Sequence, residues 1–114
     1  LIWEGKKTYT VRLRNTIYDH NDRFLLGFIR GLMDTDGFVQ PYNVAFGVVS
    51  TQLINNFKDI LDKFNLAYSY TIRKGHANEK DLHLVRIKKA SLLRYNHLIC
   101  FSNKRKRDKL RNIL

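Results

Sequence analysis

Apolar residues change their spacing several times along this chain, and each change marks an element. Over residues 7–14 they alternate, with Tyr9, Val11 and Leu13 on one side and Thr8, Thr10, Arg12 and Arg14 on the other, the period of a half-buried strand. From Asp22 the spacing becomes helical: Leu25, Phe28, Ile29, Leu32 and Met33 follow i, i+3, i+4, i+7, i+8. Asn21 or Asp22 can cap the start of this helix, and Gly37 can close it in the left-handed conformation. Two β-type runs follow at 38–42 and 44–50, with Pro41-Tyr42-Asn43 at the turn between them. Ser50 or Thr51 then caps a second helix with the apolar face Leu53, Ile54, Phe57, Ile60, Leu61 and Phe64.

Beyond that helix, strands are expected at 67–74 and 82–88 around a polar loop at 75–81, and helices at 90–99 and 103–113. In the last strand Val85 and Ile87 share one face while Leu84, Arg86 and Lys88 share the other. Tyr68, Tyr70 and Ile72 are placed toward the helices on hydrophobicity. The order helix, two strands, helix, two strands, helices describes an α+β domain with helices on one face of an antiparallel sheet. Its other face is left uncovered and is expected to be polar and basic. Residues 1–21 form an N-terminal strand and connector, and residues 22–114 a single domain.

Composition narrows the partners. The 114 residues carry 21 Lys+Arg against 10 Asp+Glu, a formal charge of +11, which predicts attraction to a polyanion. Nucleic acid is the commonest polyanion. A hydrophobic content of 44% supports a real core and excludes a disordered chain. The single cysteine, Cys100, cannot form an intramolecular disulfide and is expected to be buried as a small hydrophobe. His20, His76, His83 and His97 have no ligand spacing and are read as surface or satisfied histidines. No apolar run approaches the roughly 20 residues of a membrane span. Leu1-Ile2-Trp3-Glu4 lacks the order of a signal peptide, so an intracellular protein is expected, cytoplasmic or organellar, with no membrane partner.

The first helix carries the unusual chemistry. Gly27 and Gly31 stand at i, i+4, and Asp34 continues the stripe at i+7. A stripe without side chains admits a close neighbour, either this chain's own sheet or a second helix. Asp34 and Asp36 sit near the helix C-terminus, where carboxylates oppose the macrodipole, so they suggest a metal or a proton to hold.

Ile29-Arg30-Gly31-Leu32-Met33-Asp34-Thr35-Asp36-Gly37 resembles the nine-residue motif of the LAGLIDADG homing endonucleases, matching its Gly, Leu, Asp, Asp and Gly at positions three, four, six, eight and nine. The run from Ile99 to Leu110 is similar to the C-terminal helical region of the branch associated with inteins and introns. The resemblance implies a LAGLIDADG homing-endonuclease-like αββαββα fold and a site-specific double-stranded DNA endonuclease that acts as a pair of repeats. The pair would be a homodimer or two repeats in one chain, joined through Gly27, Gly31 and Asp34. It further implies Mg²⁺, or another divalent metal, held by the Asp36 carboxylate with the Thr35 carbonyl as a second oxygen. The family's basic catalytic residue on the last strand falls to Arg86 or Lys88. Arg30 stands where the family name has Ala, and Val48-Val49-Ser50 offers no match for the residue some members use to order waters. The alternative is a DNA-binding regulator or intron RNA-splicing maturase with the same fold.

An uncovered sheet face fits the major groove, where base pairs are distinguishable. Gln40, Tyr42, Arg73, Lys74, Arg86 and Lys88 are its candidate DNA-binding residues, or else solvated strand positions. In Lys104-Arg105-Lys106-Arg107, Lys104 and Arg105 lead a run suited to phosphate contact or to a solvated helix start.

Overall fold

The computed structural model describes residues 20–114, so the strand expected at 7–14 lies outside the described residues. Helix α1 (Asp22–Asp36) leads directly into β1 (Gly37–Val39), and a tight turn joins this to β2 (Val44–Val48). Helix α2 (Thr51–Lys63), strands β3 (Tyr68–Arg73) and β4 (Leu82–Ile87), a 3-10 turn (Lys89–Ser91), α3 (Leu92–Leu98) and α4 (Lys104–Ile113) follow. The strands form one antiparallel sheet in the order β1-β2-β4-β3, so β2 and β4, one strand from each hairpin, meet in its centre. The αββαββα order is present, with two helices where the symbol has its final α.

Local chemistry explains the element ends. The Asn21 side chain accepts from the Phe24 amide at 2.8 Å and starts α1, and Ser50 rather than Thr51 starts α2, accepting from Leu53 at 3.1 Å. Helix α2 closes on Asn65 at φ 57°, with the Leu66 amide reaching the Leu61 carbonyl and the Asn65 amide that of Asp62. The Gln40 amide donates to the Asn43 carbonyl at 2.8 Å, which tightens the β1–β2 turn and ends β1 earlier than the apolar run suggested.

Gly37 corrects an expectation. Its φ of −82° and ψ of 160° are extended, so it does not close α1 in the left-handed region. It is the first residue of β1, and glycine serves there for space: a Cβ would lie 2.7 Å from the Met33 carbonyl oxygen and 2.8 Å from Met33 Cα. Cys100 is corrected too. It is half-buried at φ 58°, ends α3 with its amide on the Tyr95 carbonyl, and donates its thiol to Asn96 Oδ1 at 3.4 Å.

The core lies between the helices and one sheet face. Leu25, Phe28, Ile29 and Met33 of α1 and Leu53, Ile54, Phe57, Ile60 and Leu61 of α2 pack with Val44, Phe46, Val48, Val85 and Ile87. Phe46 and Phe57 stack at 4.5 Å. Tyr68 and Tyr70 pack against this core as expected, whereas Ile72 at the sheet's end is exposed. The opposite face is not simply polar. Ala45 and Leu84 are buried yet stand outside the core cluster, because the register sets Ala45 between Phe38 and Arg86 on the neighbouring strands. The centre of that face is apolar and its basic groups stand around the edge.

Candidate nucleic-acid interface

Because α1 runs into β1 without a loop, the last helical side chain falls in line with the outward positions of the strand. Asp36, Phe38 and Gln40 therefore border the open sheet face together. Across them the register brings Gly47 of β2, Leu82, Leu84 and Arg86 of β4, and Arg73 at the end of β3. These eight residues line one hollow of about 300 Å³. Its floor is apolar, and its ionic groups are one carboxylate and two guanidinium groups.

Each expected site residue can be placed against this hollow. Asp36 is half-buried and makes no hydrogen bond or ion pair with another described residue. Arg86 donates to Thr71 Oγ1 at 3.3 Å, which steers its guanidinium across the open face. Lys88, the other candidate cation, lies past the end of β4, where its amide donates to the Ala67 carbonyl, and it does not line the hollow. Tyr42 projects from the turn, 70% exposed, with Lys89 Nζ 5.5 Å from its ring centroid. Lys74 is ion-paired with Asp81 at 3.3 Å on the β3–β4 loop. The structure thus gathers Gln40, Arg73 and Arg86 with Asp36 and leaves Tyr42, Lys74 and Lys88 outside.

The glycine stripe and Asp34 part company. A Cβ at Gly27 or Gly31 would meet nothing within 4 Å, so among the described residues the stripe does not pack on this chain's own sheet. Asp34 was expected to face a partner helix. Its carboxylate instead turns to the chain's own C-terminal segment, accepting the Ser102 amide at 2.8 Å and the Asn103 amide at 3.2 Å. Thr35 bonds back to the Gly31 and Leu32 carbonyls through its hydroxyl. Arg30 donates from Nε to the Ile99 carbonyl at 2.7 Å, which explains a long cation where the resemblance has alanine.

The basic run at 104–107 divides in the same way. Lys104, Arg105 and Arg107 are exposed, but Lys106 is half-buried and its Nζ reaches the carbonyls of Met33 at 3.0 Å and Asp34 at 2.7 Å. Burial draws its pKa below the usual lysine value, while Asp34 and Asp36 oppose that shift. Sequence reasoning gave Lys106 no separate role. A signal was present, since α1 ends on two acids with no basic residue in its last turn. His83 is satisfied rather than reactive: buried, it shares a 2.6 Å hydrogen bond through Nδ1 with the Tyr70 hydroxyl and a longer one through Nε2 with Thr51 Oγ1.

No group of three or more His, Cys, Asp or Glu is disposed to hold a metal among the described residues. The Asp36 carboxylate lining the hollow is an oxygen donor of the kind a hard divalent cation takes, and among the described residues no second carboxylate lines the hollow with it. The profile of the LAGLIDADG-like domain matches residues 23–100, more than half of the chain. The protein belongs to the LAGLIDADG family. No curated protein matches the sequence. Membership makes this a domain of the homing-endonuclease and maturase type, a family generally of nucleases that bind DNA and pair their domains. The LAGLIDADG match covers α1 through α3 and stops before α4. Among the described residues no helix is long and apolar enough to cross a membrane.

Proposed function

We propose that this LAGLIDADG domain is one half of a site-specific, metal-dependent double-stranded DNA endonuclease. One observation carries the reading: Asp36, the last residue of the motif helix, lines, with no hydrogen bond or ion pair among the described residues, a hollow that also holds Arg86, Arg73 and Gln40 on the uncovered sheet face. A duplex laid on that face meets Gln40, Arg73 and Arg86 as base-reading groups around an apolar centre, with the Asp36 carboxylate beside them. The Asp36 carboxylate and the Thr35 carbonyl, with their counterparts from a second repeat, would hold Mg²⁺. When bound, such an ion polarises the scissile phosphate and lowers the pKa of an attacking water. The Arg86 guanidinium has donors and no acceptor, so its part is to offset charge developing on the phosphate, not to act as a base. Exposed Lys104, Arg105 and Arg107 contact phosphates without regard to sequence.

The Gly27/Gly31 stripe, bare among the described residues, supports pairing through a homodimer or a second repeat. Intron or intein origin is part of the same proposal. The apolar floor of Phe38, Leu82 and Leu84, with few groups to order water, favours a second reading as a DNA-binding regulator or maturase without cleavage. Duplexes recovered by binding selection from a randomised pool, incubated with the protein and Mg²⁺, separate the two. The endonuclease cuts both strands at one place, chelation of the metal stops cutting but not binding, and Asp36→Asn binds without cutting. A wild-type protein that binds and never cuts establishes the second reading.

A further inference from the structure

The last turn of α1 poses an electrostatic problem that its own sequence leaves unsolved. A helix C-terminus carries unpaired carbonyls and a partial negative charge, and here it also carries Asp34 and Asp36 with no basic residue in the turn. Three negative features crowd where the proposed ligand must be held still. The Gly37 amide satisfies the Met33 carbonyl, and the Asp34 carbonyl receives no helix continuation because β1 begins at once.

The missing cation comes from α4. Lys106 Nζ donates to the Met33 and Asp34 carbonyls, while the Asp34 carboxylate accepts the Ser102 and Asn103 amides just before α4. The contacts run both ways: α4 lends α1 a cation, and α1 lends the approach to α4 an anion. The side chain of Asn103 caps α4 by accepting the Lys106 amide at 3.1 Å, which fixes the backbone from which that cation extends. Leu110, wholly buried, seats the far end of the helix in the core. The α4 side of this clasp, Ser102, Asn103, Lys106 and Leu110, lies beyond the region of the family match, which ends at residue 100, whereas Met33 and Asp34 lie within it.

We propose that Lys106 is a positioning residue for Asp36. By binding the final carbonyls of α1 it fixes the helix-to-strand junction, and so fixes where the Asp36 carboxylate points into the hollow. The inference rests on the endonuclease reading for its catalytic consequence, but not for the clasp itself. An exposed lysine in a basic run would contribute to phosphate binding, and its loss would weaken the complex. A lysine that holds the junction acts on the reaction within the complex.

Three variants separate these roles: Lys106→Met, Lys106→Arg, and Leu110→Ala as a control that loosens α4 while keeping the cation. Each is measured for thermal midpoint, affinity for the binding-selected duplex, single-turnover cutting at saturating duplex, the Mg²⁺ concentration for half-maximal cutting, and amide exchange at Gly37. In Lys106→Met, duplex affinity should hold within about twofold while cutting at saturation falls about tenfold or more, the scale expected when a reacting group is misplaced. The Mg²⁺ requirement should rise, the Gly37 amide should exchange faster, and Lys106→Arg should recover most of each effect. Leu110→Ala should lower the midpoint without raising the Mg²⁺ requirement. If Lys106→Met does not fold, Lys106→Gln replaces it, keeping a donor without the charge. Loss of affinity with an unchanged rate at saturation overturns the proposal, as does a decline that merely tracks the midpoint in both Lys106→Met and Leu110→Ala. Should the wild type bind duplex but never cut, the endonuclease reading fails separately, and Gly37 exchange decides: acceleration reversed by arginine supports the junction role, and unchanged exchange overturns it.

Discussion

Asp34 and Asp36 are two positions apart on one helix and have separate surroundings. Asp34 spends its carboxylate on two backbone amides of the α3–α4 connection, whereas Asp36 makes no hydrogen bond or ion pair among the described residues and borders the hollow. Asp34→Asn should therefore lower stability by about 1–3 kcal/mol, the range for weakening a charged hydrogen-bond acceptor, with duplex cutting reduced only as folding is. Asp36→Asn should leave the thermal midpoint nearly unchanged, abolish cutting, and keep or improve duplex affinity by removing repulsion from phosphate. Thermal melts and cutting assays on the two variants check this pair. Tyr95 adds a prediction at alkaline pH. Burial raises its pKa above the ordinary 10.0, and its hydroxyl donates to the Cys100 carbonyl at 3.2 Å. Above pH 10 the unfolded chain releases that proton and the folded chain keeps it, so this contribution is complete below the ordinary value and is lost as pH rises past it. Urea unfolding from neutral pH upward should show the loss, and Tyr95→Phe should flatten it. The two aspartates were legible in the sequence because both oppose the macrodipole. Their different partners were not, because the amides that claim Asp34 lie 68 and 69 residues away and helical spacing carries no information at that range.

At the scale of elements, the helices were legible and the strands only partly so. The apolar spacing of α1 and α2 placed their buried faces nearly residue by residue, and Asn21 and Ser50 act as the caps that their chemistry predicts. Strand β2 defeated the same reasoning, since it is central and buried on both faces, so alternation fades into a nearly continuous apolar run. That is why the open face was expected to be polar when its middle holds Ala45 and Leu84. The α1–β1 junction gave a wrong conformation for a sound residue: glycine is needed at position 37 for closeness to Met33, not for positive φ. Gly37→Ala should cost about 1–3 kcal/mol, as overpacking does, because backbone atoms of Met33 stand where the methyl must go. It should also slow cutting at saturating duplex beyond what the lost stability explains, since Asp36 is the residue immediately before it. Urea unfolding and single-turnover rates measure the two effects independently.

For the molecule as a whole, the +11 charge and the LAGLIDADG motif point to nucleic acid from the sequence alone, and the fold gives that charge somewhere to act by leaving one sheet face without helices. What sequence could not decide was whether Gly27 and Gly31 serve this chain's own packing or a second copy of the fold. The structure sharpens that question into a test. Among the described residues open space surrounds both positions, so Gly31→Leu meets no clash with them and exchanges a poor helix former for a good one, a gain of roughly 0.5–1 kcal/mol. The thermal midpoint of the unpaired domain should therefore hold or rise. Across a paired interface the same leucine would keep two helix backbones apart, so association should fall, and with it cutting, because in the proposed endonuclease each copy offers a single Asp36 and addresses half of a symmetric duplex site. Sedimentation of the wild type and the variant, free and on the binding-selected duplex, reads the association, and a thermal melt reads the fold. A variant that stays folded, no longer pairs and no longer cuts is the expected result. A Gly31→Leu protein that pairs and cuts like the wild type would show that the two repeats meet elsewhere, and a folded wild type that cuts as a single copy would remove the need for a partner altogether.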